Sequence, residues 1–168
     1  MHFIGFHGTD VQGAYLIQRD GFQDSPADSW LGSGIYFFET QPNFDGLEAA
    51  RWWVRTYKRY REWVILEADI NSDKVLDLFG NANDKIMFGR IKKKMFAKHL
   101  AVGGKSEGFD IKTVFLYLSR KVEVIRSLVD AARLDEFPNY IVGYPQIQIC
   151  VTKSSCIGNP TKKEEGRL

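Results

Sequence analysis

Cysteine is scarce in this chain. Two of its 168 residues are cysteines, Cys150 and Cys156, and none of its three histidines lies near them. The pair lacks Cys-x-x-Cys spacing, and a chain of this length does not need disulfides to fold, so neither a zinc site nor a disulfide scaffold is expected. A reducing, cytoplasmic setting is the default. Long apolar runs are also missing. Nothing approaches the ~18 residues that a transmembrane helix requires. The opening residues, Met1 to His7, lack the basic region and apolar stretch of a secretory leader. Charge of one sign is lacking too: 23 basic residues against 21 acidic ones leave a net charge of +2, so bulk charge selects no partner. What is plentiful is aromatic surface, with four Trp, seven Tyr and twelve Phe, which excludes a disordered chain.

The length fits one domain with one core, here placed over residues 1–157 with a polar, frayed tail over 158–168. Residues 3–7 read as a strand, and Asp10 as the cap of a helix over 11–19 that Gly21 ends. A polar loop over 22–33 leads through Gly32-Ser33-Gly34 into a strand over 34–38. The spacing of Ala50, Trp53, Val54, Tyr57 and Tyr60 predicts an unbroken helix over 45–60. Strands follow at 63–70 and 75–78. A second amphipathic helix spans about 84–99, using Met87, Phe88, Ile91 and Met95. Residues 112–134 suit either a strand or a helix, and 140–142 and 147–151 read as late strands. Together these make an α+β domain with no internal repeat. Gly104-Lys105-Ser106 ends like a phosphate-binding loop, but His99 stands where that motif needs glycine.

Three short segments carry the chemistry: His7-Gly8-Thr9 after the first strand, Gly32 to Phe37 entering the second, and Gln146-Ile147-Gln148 opening the last. Alone, each has a bland explanation: a structural histidine, a tight turn, a solvated strand face. In this order they resemble the poly(ADP-ribose) polymerase and diphtheria-toxin branch of the ADP-ribosyltransferases. That signature runs His-Gly-(Ser/Thr), Gly-x-Gly-Ile-Tyr-Phe, then a glutamate on a late strand. The likeness covers residues 3–60 well and 138–152 loosely.

The resemblance implies a split, mixed β-sandwich with flanking helices and a cleft for NAD, which is consumed as a substrate without a metal. NAD is cleaved between ribose and nicotinamide through an oxocarbenium-like transition state, so the site must hold a dinucleotide and stabilise positive charge. By the same resemblance, the backbone of Gly8 would pair with the nicotinamide carboxamide. His7 and Thr9 would bond the adenosine ribose. Tyr36 would stack on nicotinamide beside Gly34. Ala49 and Trp52 would supply the small residue and the aromatic three positions on, with Trp52 closing the far side.

The departure lies at the third segment. The family's glutamate stabilises the ribose cation, and here the last strand offers Gln146 and Gln148. Gln146, directly after Pro145, is the preferred counterpart and Gln148 the other. Three readings stay open: a natural low-activity enzyme, an NAD-binding module without turnover, or an inactivating Glu→Gln replacement. The last best suits the intact remainder of the motifs. An NAD glycohydrolase using water as acceptor is a further alternative.

A basic run, Arg90, Lys92, Lys93 and Lys94 with Lys98 beyond, projects from the second helix. Such runs are commonly solvated faces. They also suit phosphate contacts to a nucleic-acid acceptor, RNA before DNA. A small lone transferase domain resembles the toxins of toxin–antitoxin and anti-phage defence modules, which implies mono-ADP-ribosylation and a neutralising protein partner.

Overall fold

The N-terminal apolar residues build β1 (His2–Asp10), and Asp10 then caps α1 (Val11–Asp20) by accepting the Gly13 amide at 2.5 Å. Gly21 closes that helix at φ 81°, a left-handed conformation that favours glycine. The chain, a computed structural model that describes residues 1–23, 29–130 and 145–168, continues through β2 (Ile35–Glu39) and α2 (Gly46–Trp52). There follow β3 (Glu62–Asn71), β4 (Val75–Asp77), α3 (Ala82–Ala101), α4 (Lys112–Ser119), β5 (Val124–Asp130), β6 (Pro145–Val151) and β7 (Thr161–Arg167). Among the described residues no helix is long and apolar enough to cross a membrane.

The strands form one mixed sheet in the order β4-β5-β6-β2-β1-β3-β7, in which β4 and β5 run parallel and the other neighbours antiparallel. The α+β class is therefore as expected, with all seven strands in one hydrogen-bonded network. Its middle is narrow. β1 pairs with β3 over nine residues but with β2 only at Gly5↔Glu39 and Phe6↔Phe38.

Residues directly opposite in a sheet share a face. On one face, α1 packs Ala14 and Ile17 with Phe22, Phe37, Leu66 and Ile149. On the other, α2 buries Ala49 and Ala50 with Phe6, Phe38 and Ile65. Beyond it, α4 covers Leu76, Ile125 and Cys150, with Phe88, Ile91 and Met95 of α3 packed outside. Met87, assigned above to the apolar face, is instead 41% exposed.

A buried ion cluster fixes β2 to the far half of the sheet. The Arg126 guanidinium (β5) donates to both oxygens of Glu39 at 2.6 and 3.0 Å and to Asp77 (β4) at 3.1 Å. Burial works against the Arg126 charge, but the carboxylates of Glu39 and Asp77 outweigh it and hold its pKa above the usual value. Phe79 lies 4.7 Å beneath the cation.

Two expectations change and one open reading resolves. The tail over 158–168 is not frayed: β7 pairs with β3, and Arg51–Glu164, Lys163–Glu67 and Arg167–Glu62 ion pairs accompany the ladder. Its charged sequence suits a sheet edge, where charges discourage further pairing. The helix over 45–60 loses its α pitch at Trp53, where a π turn runs to Tyr57. The ambiguous stretch over 112–134 divides into α4 and β5. The strand expected at 140–142 lies outside the described residues.

Candidate active site

Past Phe6 and Phe38 the partner strands β1 and β2 separate, and a cleft of about 760 Å³ opens where they part. That is the volume of a small-molecule site. β1 contributes His7, Gly8 and Thr9, α1 contributes Gly13, Ile17 and Asp20, and β2 contributes Tyr36 and Phe38. Trp30, Trp53, Tyr57 and Gln148 line the cleft as well, with Lys112, the first residue of α4.

His7 bridges the parting strands. Its Nδ1 lies 2.8 Å from the Tyr36 carbonyl, which can only accept, so Nδ1 carries the proton and Nε2 keeps a lone pair. The ring is wedged against Phe22 and Phe37, with centroids 5.2 and 5.6 Å away. Burial there lowers the His7 pKa below its ordinary 6.5, against the opposing pull of the Tyr36 carbonyl. The neutral imidazole is thus the native form near neutrality. As pH falls through about 6.5, the unfolded chain takes up a proton that native His7 refuses, so stability declines towards the lower native pKa. The slope from this residue is at most about 1.4 kcal/mol per pH unit. Urea midpoints between pH 7 and pH 5 should fall less steeply in His7→Asn, which still offers an N–H but does not titrate; an unchanged slope would assign the acid sensitivity elsewhere.

Tyr36 presents its ring to the cleft and commits its hydroxyl elsewhere. The hydroxyl accepts from the Leu31 amide at 2.9 Å and donates to the Gly32 carbonyl at 2.8 Å, tying down the preceding loop. Burial, with Cys150 nearby, pushes the phenol well above its usual range, so Tyr36 is no proton acceptor at neutral pH. Gly32 itself holds φ 96°, which fits that turn to glycine.

The other residues singled out from the sequence divide. Gly8 lines the cleft, but a Cβ there would lie 2.5 Å from Val54 Cγ1 and 3.0 Å from the Ala50 carbonyl. Its glycine is therefore also demanded by the close seat of α2. Gly34 is outside the lining; a Cβ there would meet the Val151 carbonyl at 2.5 Å, so it serves the approach of β2 to β6. Ala49 is core, 3% exposed beneath Phe38. Trp52 is not among the cleft residues and Trp53 is. Trp53 keeps its place on the apolar stripe, packed on the Phe38 cluster, and the cleft opens beside it. Tyr57 comes to stack on Trp53 at 4.3 Å and 16°, with the Lys58 ammonium 5.3 Å from the Trp53 ring centre.

The glutamines also separate. Alternation puts both on one face of β6, and each is 5% exposed. Gln148 stands opposite Phe38 on β2 and lines the cleft; Gln146 stands opposite Val129 on β5 and does not. Of the two, Gln148 is therefore the one that the register with β2 places at the cleft, although Gln146 is the counterpart preferred from the sequence. Gln148 also accepts a hydrogen bond from the Trp30 indole at 2.9 Å. Trp30 carried no signal in the sequence, since its partner is 118 residues away.

Arg90, Lys92, Lys93 and Lys94 are exposed on α3 and are not cleft residues. α3 buries none of its 20 residues. It sets six cations, Lys85 and Lys98 included, against one carboxylate, Asp84. That excess is larger than the +2 of the whole chain, so the remainder is net acidic and α3 is the positive pole. Phe88 packs on Phe115 of α4 at 5.0 Å, which connects this pole to the helix that begins at Lys112. Both cysteines are buried, and neither forms a disulfide. Comparison with protein-family models and with curated proteins finds no match for this chain.

Proposed function

We propose that this chain is an ADP-ribosyltransferase domain that takes NAD as substrate and passes ADP-ribose to a nucleic acid, RNA before DNA. The observation that carries the reading is the meeting of His7, Tyr36 and Gln148 in one cleft. They come from three strands distant in sequence, and each belongs to a different one of the three motifs that carry the resemblance. Tyr36 and Trp53 supply aromatic surface for a flat leaving group. Neutral His7 offers Nε2 as an acceptor for a ribose hydroxyl. Gln148 occupies the position where a carboxylate would stabilise positive charge on the ribose.

The amide of Gln148 also favours a second reading. Without a carboxylate the cleft keeps its shape and hydrogen-bonding reach but loses the charge that favours the oxocarbenium-like state. The chain as written would bind NAD and turn it over slowly. Action as a toxin with a neutralising protein partner, in the cytoplasm, belongs to the same proposal, as does α3 as the acceptor surface.

The test is incubation of a Gln148→Glu protein with labelled NAD and separate pools of RNA, DNA and protein. Label is expected in RNA. Label confined to protein overturns the acceptor, and release of free ADP-ribose alone makes the protein a glycohydrolase. Charge reversal at Lys92, Lys93 and Lys94 should reduce labelling of RNA and flatten its salt dependence by roughly 0.7 in log–log slope for each phosphate no longer neutralised. NAD hydrolysis without acceptor should be unchanged; a parallel loss of both would remove α3 from the acceptor site.

A further inference from the structure

Gln148 is held by a residue from outside the three motifs. The Trp30 indole N–H lies 2.9 Å from Gln148 Oε1, and both side chains line the cleft. An indole nitrogen donates and cannot accept. The amide must therefore turn its oxygen to Trp30, and the atom it turns elsewhere is Nε2, a donor. The contact joins a half-buried loop residue to a buried residue of β6. The loop itself is anchored close by, through the Tyr36 hydroxyl to Leu31 and Gly32.

We propose that Trp30 is the positioning residue for the head group at position 148. It holds one of the two terminal atoms so that the other meets the ligand in a fixed orientation. With glutamine present, the ligand-facing atom is a donor, and a hydroxyl oxygen can still accept from it. With a carboxylate present, Trp30 donates to one oxygen and the second oxygen faces the ligand with its charge. The contact thus serves either residue, and it sets the polarity that the cleft presents. This inference rests on the transferase reading for its kinetic consequence only; the indole contact itself is measurable without turnover.

The experiment uses the full chain with 15N-labelled tryptophan. The Trp30 indole resonance, assigned by its loss in Trp30→Phe, should move downfield in Gln148→Glu, where the acceptor is ionic, and upfield in Gln148→Leu, where no acceptor remains. A resonance that ignores both substitutions overturns the proposal. In the Gln148→Glu background, Trp30→Phe keeps an aromatic ring but removes the donor. It should lower kcat roughly tenfold or more, the scale of a hydrogen bond to a charged group, while the KM for NAD stays within about twofold. A rise in KM with kcat unchanged would make Trp30 only a wall of the cleft and overturn the positioning role. If Gln148→Glu shows no turnover with any acceptor while the indole resonance moves as expected, the positioning contact stands and the transferase reading fails.

Discussion

Gln148→Glu is expected to raise NAD turnover by roughly 10²–10⁴-fold over the chain as it stands, the range that a placed catalytic carboxylate supplies. The side chain lies beside the Tyr36 strand, opposite Phe38, with Trp30 donating to its head group. A glutamate there keeps length and shape and adds charge where the ribose cation would develop. Nicotinamide release, followed under single-turnover conditions, measures the gain directly. Gln146→Glu is the control. That residue is 5% exposed beside Val129 and outside the cleft, so a carboxylate there should cost stability, about 1–3 kcal/mol, and bring no turnover. Revival by Gln146→Glu and not by Gln148→Glu would return the assignment to the start of β6. If neither revives the protein and NAD still binds, the chain is a binding module.

Arg126→Met should destabilise the fold by about 3–5 kcal/mol, because it strands the Glu39 and Asp77 carboxylates in the interior without their cation. For a chain of this length that corresponds to a fall in Tm on the order of 10 °C. The effect reaches the cleft, since Glu39 ends the strand that begins one residue before Tyr36. Pairing Arg126→Met with Glu39→Gln and Asp77→Asn removes the stranded charges and should recover a large part of the loss. Thermal and urea unfolding of the single and triple variants decide the point. A loss below about 1 kcal/mol in Arg126→Met would mean that the buried pairs carry little of the stability.

How much of this was legible depends on which interactions are local. Asp10 capping α1, Gly21 ending it, and the Phe88–Ile91–Met95 stripe of α3 are signals within a turn or two of helix, and they read correctly. β7 was misread because its stability comes from β3 and from ion pairs such as Lys163–Glu67, while its own residues are polar. Trp53 lies on the apolar stripe legible in the sequence, but that the cleft opens beside it and not beside Trp52 shows only in the fold. Gln146 and Gln148 are equivalent by alternation, and only pairing with β2 separates them. Trp30 is a loop residue without pattern, identifiable only once the fold brings β6 beside it.

The two residue pairs between β1 and β2 make the sheet mechanically a crease between two stiff plates. One plate is β1, β3 and β7, held by long ladders; the other is β2, β6, β5 and β4, braced by Arg126. Few backbone hydrogen bonds cross that line, so the plates are joined there mainly by the side-chain clusters on the two faces. A molecule lodged in the mouth touches both plates and acts as a strut. By linkage, whatever binds the folded form in preference to the unfolded chain stabilises it, and an occupant of the mouth does so by adding contacts across the line that backbone bonds hold least.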